Sequence, residues 1–211
     1  MRVMRRTIHI LGLAAMLAAS ISCGDVVRSS RAPVMLIIDS LQAAQGNHAA
    51  VLGGHLLSDV ITNVTTPAPC TTDAPCPTVF NDVGSAQFRL ALKDVGTPTA
   101  PANPTTNNDV TITRIHIKYV RSDGRNLQGV DVPYEWDAAA TVTIPAGGTG
   151  SIGFEIVRHA AKEESPLMQL RTSPSTITTI TEVTFYGRDT VGNEVSATGK
   201  IQIDFGNFGD Q

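Results

Sequence analysis

The chain has 211 residues, with 16 Lys and Arg against 19 Asp and Glu, a formal net charge of −3. Such a balance supplies no basic stripe and excludes the electrostatic footprint of a nucleic-acid-binding protein. With one Trp and three Tyr, a surface that recognises sugars or bases by aromatic stacking is also poorly provided for.

Residues 1–22 begin MRVMRR, with Arg2, Arg5 and Arg6 and no acid, and continue into the apolar run IHILGLAAMLAA. Ser20, Ile21 and Ser22 follow, and then Cys23. A charged start, a short apolar centre and small residues before a cut describe a secretory signal peptide. The apolar run falls short of the roughly 20 residues that a membrane-spanning helix needs. The stretch resembles bacterial lipoprotein signals, in which a cysteine directly follows the cut. Ile21, Ser22 and Cys23 fit that pattern, whereas Ser20 stands where Leu or Val is usual and leaves ordinary cleavage as the alternative. The resemblance implies acylation of Cys23 and attachment to the bacterial cell envelope through the acyl chains. Gly24 after the cysteine then implies the outer membrane. Removing three of the 16 basic residues leaves 13 against 19 acids, a net of −6. No polybasic patch would assist binding to anionic lipid, so attachment would rest on the acyl chains.

Residues 23–32 are short and polar enough for a tether; nine extended residues reach at most roughly 30 Å. A domain over 33–208 is expected beyond it. VMLII, residues 34–38, is continuous and apolar, which predicts a strand covered on both faces. Cys70 and Cys76 bracket TTDAP within a proline-rich stretch, and in an oxidising compartment they are expected to pair, leaving Cys23 as the odd cysteine. The C-x5-C spacing is not that of a redox motif. In AQFRLALK, Ala86, Phe88, Leu90 and Leu92 alternate with Gln87, Arg89 and Lys93, the period of a half-buried strand.

Residues 95–108 form a Pro/Thr/Asn loop without apolar period, where a second module could begin. A single domain is expected, because the strands before that loop are too few to close a core. In DVTITRIHIKYV, Val110 and Ile112 share one parity while Ile115, Ile117 and Tyr119 share the other. One extra residue near Thr113-Arg114 reconciles them as a β-bulge. Val142 and Ile144, then Ile152, Phe154 and Ile156, continue the alternation. Turns are expected at Asp123-Gly124, Pro145–Gly148 and Gly192-Asn193, and a helical turn or two before Pro166. Many short strands with Gly/Pro turns predict an all-β antiparallel sandwich.

The last segment, TEVTFYGRDTVGNEVSATGKIQIDF, resembles the closing hairpin of immunoglobulin-like and fibronectin-type-III-like bacterial extracellular modules, with Asp189, Gly192 and Asn193 matching their Asp-x-x-Gly-Asn turn. The resemblance covers about 25 residues and implies an immunoglobulin-like sandwich. Val183, Phe185, Ile201, Ile203 and Phe205 are then inward, and Lys200, Gln202 and Asp204 outward.

Gly148-Thr-Gly150-Ser-Ile-Gly153 spells a dinucleotide fingerprint, but it precedes a strand rather than opening a helix and is read as a turn. No nucleophile elbow surrounds Ser151, because Thr149 replaces the first glycine. The histidines lack metal-ligand spacing. Asp131, Tyr134, Glu135, Trp136 and Asp137 form the densest acidic and aromatic cluster and are the candidate ligand loop. No catalytic residue, metal site or cofactor is assigned. The expectation is a lipid-anchored envelope protein with a binding or scaffolding role. Two alternatives are a docking component of a larger envelope assembly and a carbohydrate-active or hydrolytic protein using loop carboxylates.

Overall fold

The computed structural model describes residues 31–209; residues 1–22, expected to be a signal peptide, and Cys23 lie outside the described residues. Two packed sheets make a β-sandwich. The smaller sheet has the order β1 (Val34–Ala44), β5 (Asp82–Leu92), β10 (Thr149–Val157). The larger has the order β2 (His55–Asp59), β12 (Glu194–Gly206), β11 (Ile177–Asp189), β8 (Val110–Val120), β9 (Trp136–Ile144). Two short pairs lie in loops: β3 (Thr62–Val64) with β4 (Cys76–Thr78), and β6 (Gly96–Thr97) with β7 (Ala100–Pro101). An α-helix, α1, covers His159–Glu163. A 3-10 helix follows it at Leu167–Thr172, so helical turns lie on both sides of Pro166.

Period two sets the faces. Phe88, Ile112, Ile115, Ile117, Val183, Phe185, Ile203 and Phe205 are fully buried between the sheets. Phe185 meets Phe88 edge-on at 4.8 Å and Phe154 at 5.6 Å, an arrangement that adds to the area these rings bury. The register of β8 shifts between Ile112 and Arg114 against β11, which makes Thr113 the extra residue there; against β9 the extra residue lies in β9, where Ala140 and Thr141 stand against Thr113 alone. The bulge carries Ile112 and Ile115 into the same core. Gly187 lies opposite it, where an added Cβ would stand 2.6 Å from the Thr111 carbonyl oxygen. No larger residue fits that approach.

In the closing hairpin, β11 pairs with β12 from Ile177↔Phe205 to Arg188↔Glu194. Its turn is organised by Asp189, whose Oδ1 accepts from the backbone N–H of Val191 and Asn193 and whose Oδ2 accepts from the Asn193 side chain at 2.7 Å. Gly192 supplies φ +93°, a conformation that glycine adopts without steric cost. Gln202 is exposed, and Asp204 is partly covered because His55 of the adjoining β2 sits 2.7 Å from it.

Two expectations are corrected. VMLII is not covered on both sides: Met35 is 47% exposed and Ile37 is half-buried, because β1 is an edge strand with solvent on its outer face. Its consecutive apolar residues therefore reflect one buried face plus a tolerated apolar exterior. Ala32, expected in the tether, is buried with Val34 against Val110 and Val195. Strands on both sides of residues 95–108 share one sheet, since β5 pairs with β10.

The registers align the chain ends and loops at two poles. Val34, Leu92, Thr149, Val110, Ile144 and Asp189 end their strands at one pole, where the chain enters. Ala44, Asp59, Asp82, Val120, Trp136, Val157 and Ile177 lie at the other. The connections 45–54, 60–81, 121–135 and 158–176 gather there.

Phe205→Ala should cost roughly 3–5 kcal/mol, as large-to-small core changes do. Lys200→Ala should cost under about 0.5 kcal/mol, because its contact with Glu182 at 2.8 Å is on the exposed face. Urea denaturation of the two variants checks the register, since a one-residue slip would exchange their effects.

Candidate functional site

The loop-rich pole is built on a fully buried ion pair. Lys162 of α1 and Asp82, the first residue of β5, are each 1% exposed. Nζ of Lys162 donates to Asp82 Oδ1 and to the backbone carbonyl of Asp59, at 2.9 and 2.8 Å. The Ser58 hydroxyl donates to Asp82 Oδ2 at 2.6 Å, and the Gly46 N–H donates to Oδ1 at 3.1 Å. The pair therefore gathers β2, the 45–54 loop, β5 and α1 at one point. Burial pushes the Asp82 carboxyl up, against the opposing charge of Lys162 and the hydrogen bonds from Ser58 and Gly46. A charge so enclosed persists only when it is paired and hydrogen-bonded.

Around this anchor the neighbouring loops are tied down. The Asp59 carboxylate accepts from Thr62 Oγ1 at 3.0 Å and from the Phe208 N–H at 3.2 Å, which fixes both the start of 60–81 and the end of the described chain. Arg171 donates to the Lys162 carbonyl at 3.1 Å. Cys70 and Cys76 are joined by a disulfide, as expected, and it closes the 60–81 connection beside β3 and β4.

The five residues of the candidate ligand loop occupy three different environments. Asp131 turns its carboxylate back to the Leu127 N–H at 3.2 Å, closing its own loop. Tyr134 is 50% exposed and packs over Gly129, where an added Cβ would stand 2.3 Å from the tyrosine oxygen. Trp136 is half-buried, with the Arg158 guanidinium 4.8 Å from its ring centroid. Its Nε1 is buried without a hydrogen-bond partner. It nonetheless lies near enough to the Tyr119 hydroxyl to oppose the upward shift that burial gives that phenol. Tyr119 itself donates to the Ile156 carbonyl at 2.7 Å.

Glu135 and Asp137 lie on the outer face of the larger sheet beside His116 of β8. His116 Nδ1 is 3.3 Å from Asp137 Oδ1, and Nε2 is 3.8 Å from Glu135. Arg114 donates to Asp137 at 3.0 Å and also stacks on Tyr186 at 3.9 Å. The acids are thus balanced by Arg114 and His116 and do not converge with Asp131 on a common pocket. Among the described residues, no group of three or more His, Cys, Asp or Glu is placed to hold a metal ion. Gly148 to Gly153 lies in the β9–β10 connection and in β10, with Gly148 closing a turn onto the Pro145 carbonyl at 3.0 Å.

Two features escaped the sequence reading. His48 and His55, distant from each other in their loop and strand, line one depression with Ala44, Val51 and Leu57. His55 bonds Asp204, whose carboxyl is held below its ordinary range. Burial there acts upward and is outweighed by hydrogen bonds from Thr178, His55 and Gln202. The Lys162–Asp82 pair was the larger omission. Asp82 has the parity of Ala86 and Phe88, so its inward direction was available; nothing marked Lys162 as its partner.

No protein-family model matches this chain, and no curated protein or solved structure matches it either.

Lys162→Met should destabilise the fold by about 3–5 kcal/mol, because it leaves Asp82 buried and unpaired. Lys162→Met with Asp82→Asn should recover more than about half of that loss, since both charges are then gone, the amide oxygen still accepts from Gly46 and the amide NH2 can donate to the Ser58 hydroxyl. Chemical denaturation of the single and double variants checks this. Replacing both Cys70 and Cys76 with Ser should cost only about 2 kcal/mol, for the sequence separation they close is 6. Thermal unfolding with and without reductant measures it.

Proposed function

We propose that this is a lipid-anchored protein of the bacterial cell envelope, an immunoglobulin-like sandwich that presents its loop-rich pole for binding. The observation that carries the reading is the cysteine pairing. The chain has three cysteines, and Cys70 and Cys76 are bonded to each other. Cys23, placed directly after a charged and apolar leader, has no partner left within the chain, and acylation accounts for it. Two or more acyl chains hold a protein stably at a membrane, where one holds it marginally. Among the described residues no helix is long and apolar enough to cross a membrane.

Strand order supports the immunoglobulin-like part. With β1, β5 and β10 as strands A, B and E, and β8, β11 and β12 as C, F and G, the two sheets follow the order of immunoglobulin sandwiches. β9 then takes the place of C′, and β2 is a second segment of A, parallel to G. Strand D has no counterpart in the smaller sheet.

The polar arrangement supports a binding role. The chain enters at the pole opposite the gathered loops, and β1 spans 11 residues, about 36 Å at the usual strand rise. An anchor at Cys23 attaches the chain on the entry side, and the other pole lies that far beyond it. There the loops are braced by the buried ion pair and the disulfide, and they display Val51, Leu127, Val130 and Tyr134 to solvent. Binding residues set on loops over a rigid scaffold are a common arrangement.

Cys23→Ser should move the protein from the membrane fraction to the soluble envelope fraction, and the mature wild-type chain should begin at an acylated Cys23. Fractionation and intact-mass analysis test both; an unacylated mature chain that starts elsewhere overturns the reading.

A further inference from the structure

The two lateral sides of the sandwich are finished differently. On one side β1 is blunted: its register shifts between Ile38 and Ser40, Asp39 is paired with Arg89 at 2.8 Å, and Ala43 bridges Gly53. The adjoining edge, β2, is only five residues long. These are the devices by which edge strands avoid pairing with other chains.

The other side has fewer of them. Among the described residues β10 pairs with β5 alone, and its second edge carries no ladder. Its sequence TGSIGFEIV contains no Lys, Arg or Pro. The only irregularity is the register shift between Glu155 and Val157, so Thr149–Glu155 runs straight. Three strands also face five, and the row beneath this side is incompletely covered. Trp136, Ala140 and Val142 of β9, with Ile152 and Phe154 of β10, are only half-buried although their parity points inward. Their counterparts on β8, β11 and β12, such as Ile117, Phe185 and Ile203, are fully buried.

We propose that β10 is an association edge at which a second copy of this chain adds its own β10, antiparallel across a two-fold axis. The occupant is a second copy because the strand is complementary to itself. With the axis through Ile152, each Glu155 faces the partner's Thr149, so the one charged residue on the strand never meets its like. Ser151 faces the partner's Gly153, and Gly150 faces the partner's Phe154, small against large. Directly opposed residues share a face, so the added strand brings its Ile152 and Phe154 to the inner side, over the half-buried row. Closed two-fold pairs are the commonest form of protein association, and they require a self-complementary patch. The smaller sheet becomes a continuous sheet of six strands through the dimer.

The full chain, purified in mild detergent, tests this by sedimentation and light scattering. Wild type should have twice the protein mass of a monomer. Ser151→Lys with Gly153→Lys should halve that mass, since the register sets the new lysines against each other. Both positions are exposed, and an added Cβ at Gly153 meets nothing nearer than 3.9 Å, so the fold should keep its circular dichroism and melting profile. Ile152→Cys should yield a reducible dimer on a non-reducing gel, well above the wild-type blank. A wild type that remains monomeric at high micromolar concentration, or a double-lysine variant that remains dimeric, overturns the proposal.

Discussion

The Lys162–Asp82 pair is the constraint on which the loop-rich pole depends. Neither group reaches water, so each depends on the other and on the donors and acceptors around them. The pair joins four separate parts of the chain: Gly46 of the 45–54 loop, Ser58 and the Asp59 carbonyl of β2, Asp82 of β5, and α1. Displacing any of these segments strands a charge in a medium where stranding is costly. The connections at this pole send Val60, Val132, Ala161, Leu167 and Leu170 into the common core, and the ion pair adds an electrostatic knot to that packing.

The opposite pole is finished by apolar packing and by hydrogen bonds between turns. Ala32 and Val34 pack on Val110 and Val195. The Asp109 side chain accepts from the Ala146 N–H at 2.7 Å, and Thr190 Oγ1 donates to the Asn107 carbonyl at 2.7 Å. These contacts lock three neighbouring turns to one another. The contrast is physical: here the turns are joined to one another by hydrogen bonds, whereas the long loops are joined through a buried ion pair.

That contrast also explains what could be read from the residues alone. Strand faces were legible because side-chain period two is strict, and the bulge at Thr113 was legible because it inverts that period within one strand. The turn around Asp189 was legible because Asp, Gly and Asn each have a local role there. The 34–38 run misled, since apolar residues mark a buried strand only where both faces are covered, and the edge position of β1 is a property of the whole topology. The acidic cluster at 131–137 is spread over different neighbours for a related reason. Proximity in sequence brought Asp131 and Asp137 together on paper, but in a strand-and-loop connection they end up with different neighbours, Leu127 and Arg114 respectively. Lys162 and Asp82, 80 residues apart, carry no signal in sequence that could join them.

The path of the first two strands has a mechanical consequence. β1 runs antiparallel to β5 in the smaller sheet, and after the 45–54 loop β2 runs parallel to β12 in the larger one. The incoming chain is thus stitched to both layers in turn. A pull at residue 31, resisted by something gripped at the far pole, acts along these strands rather than across them. Such a load reaches many ladder hydrogen bonds of β1 together instead of opening them singly from one end. Beyond them it meets the short parallel clamp between β2 and β12, and then Ser58 and the Asp59 carbonyl at the buried pair. A chain laid out in this way carries tension from its entry point to its loops in shear, the loading direction in which a β-ladder is strongest.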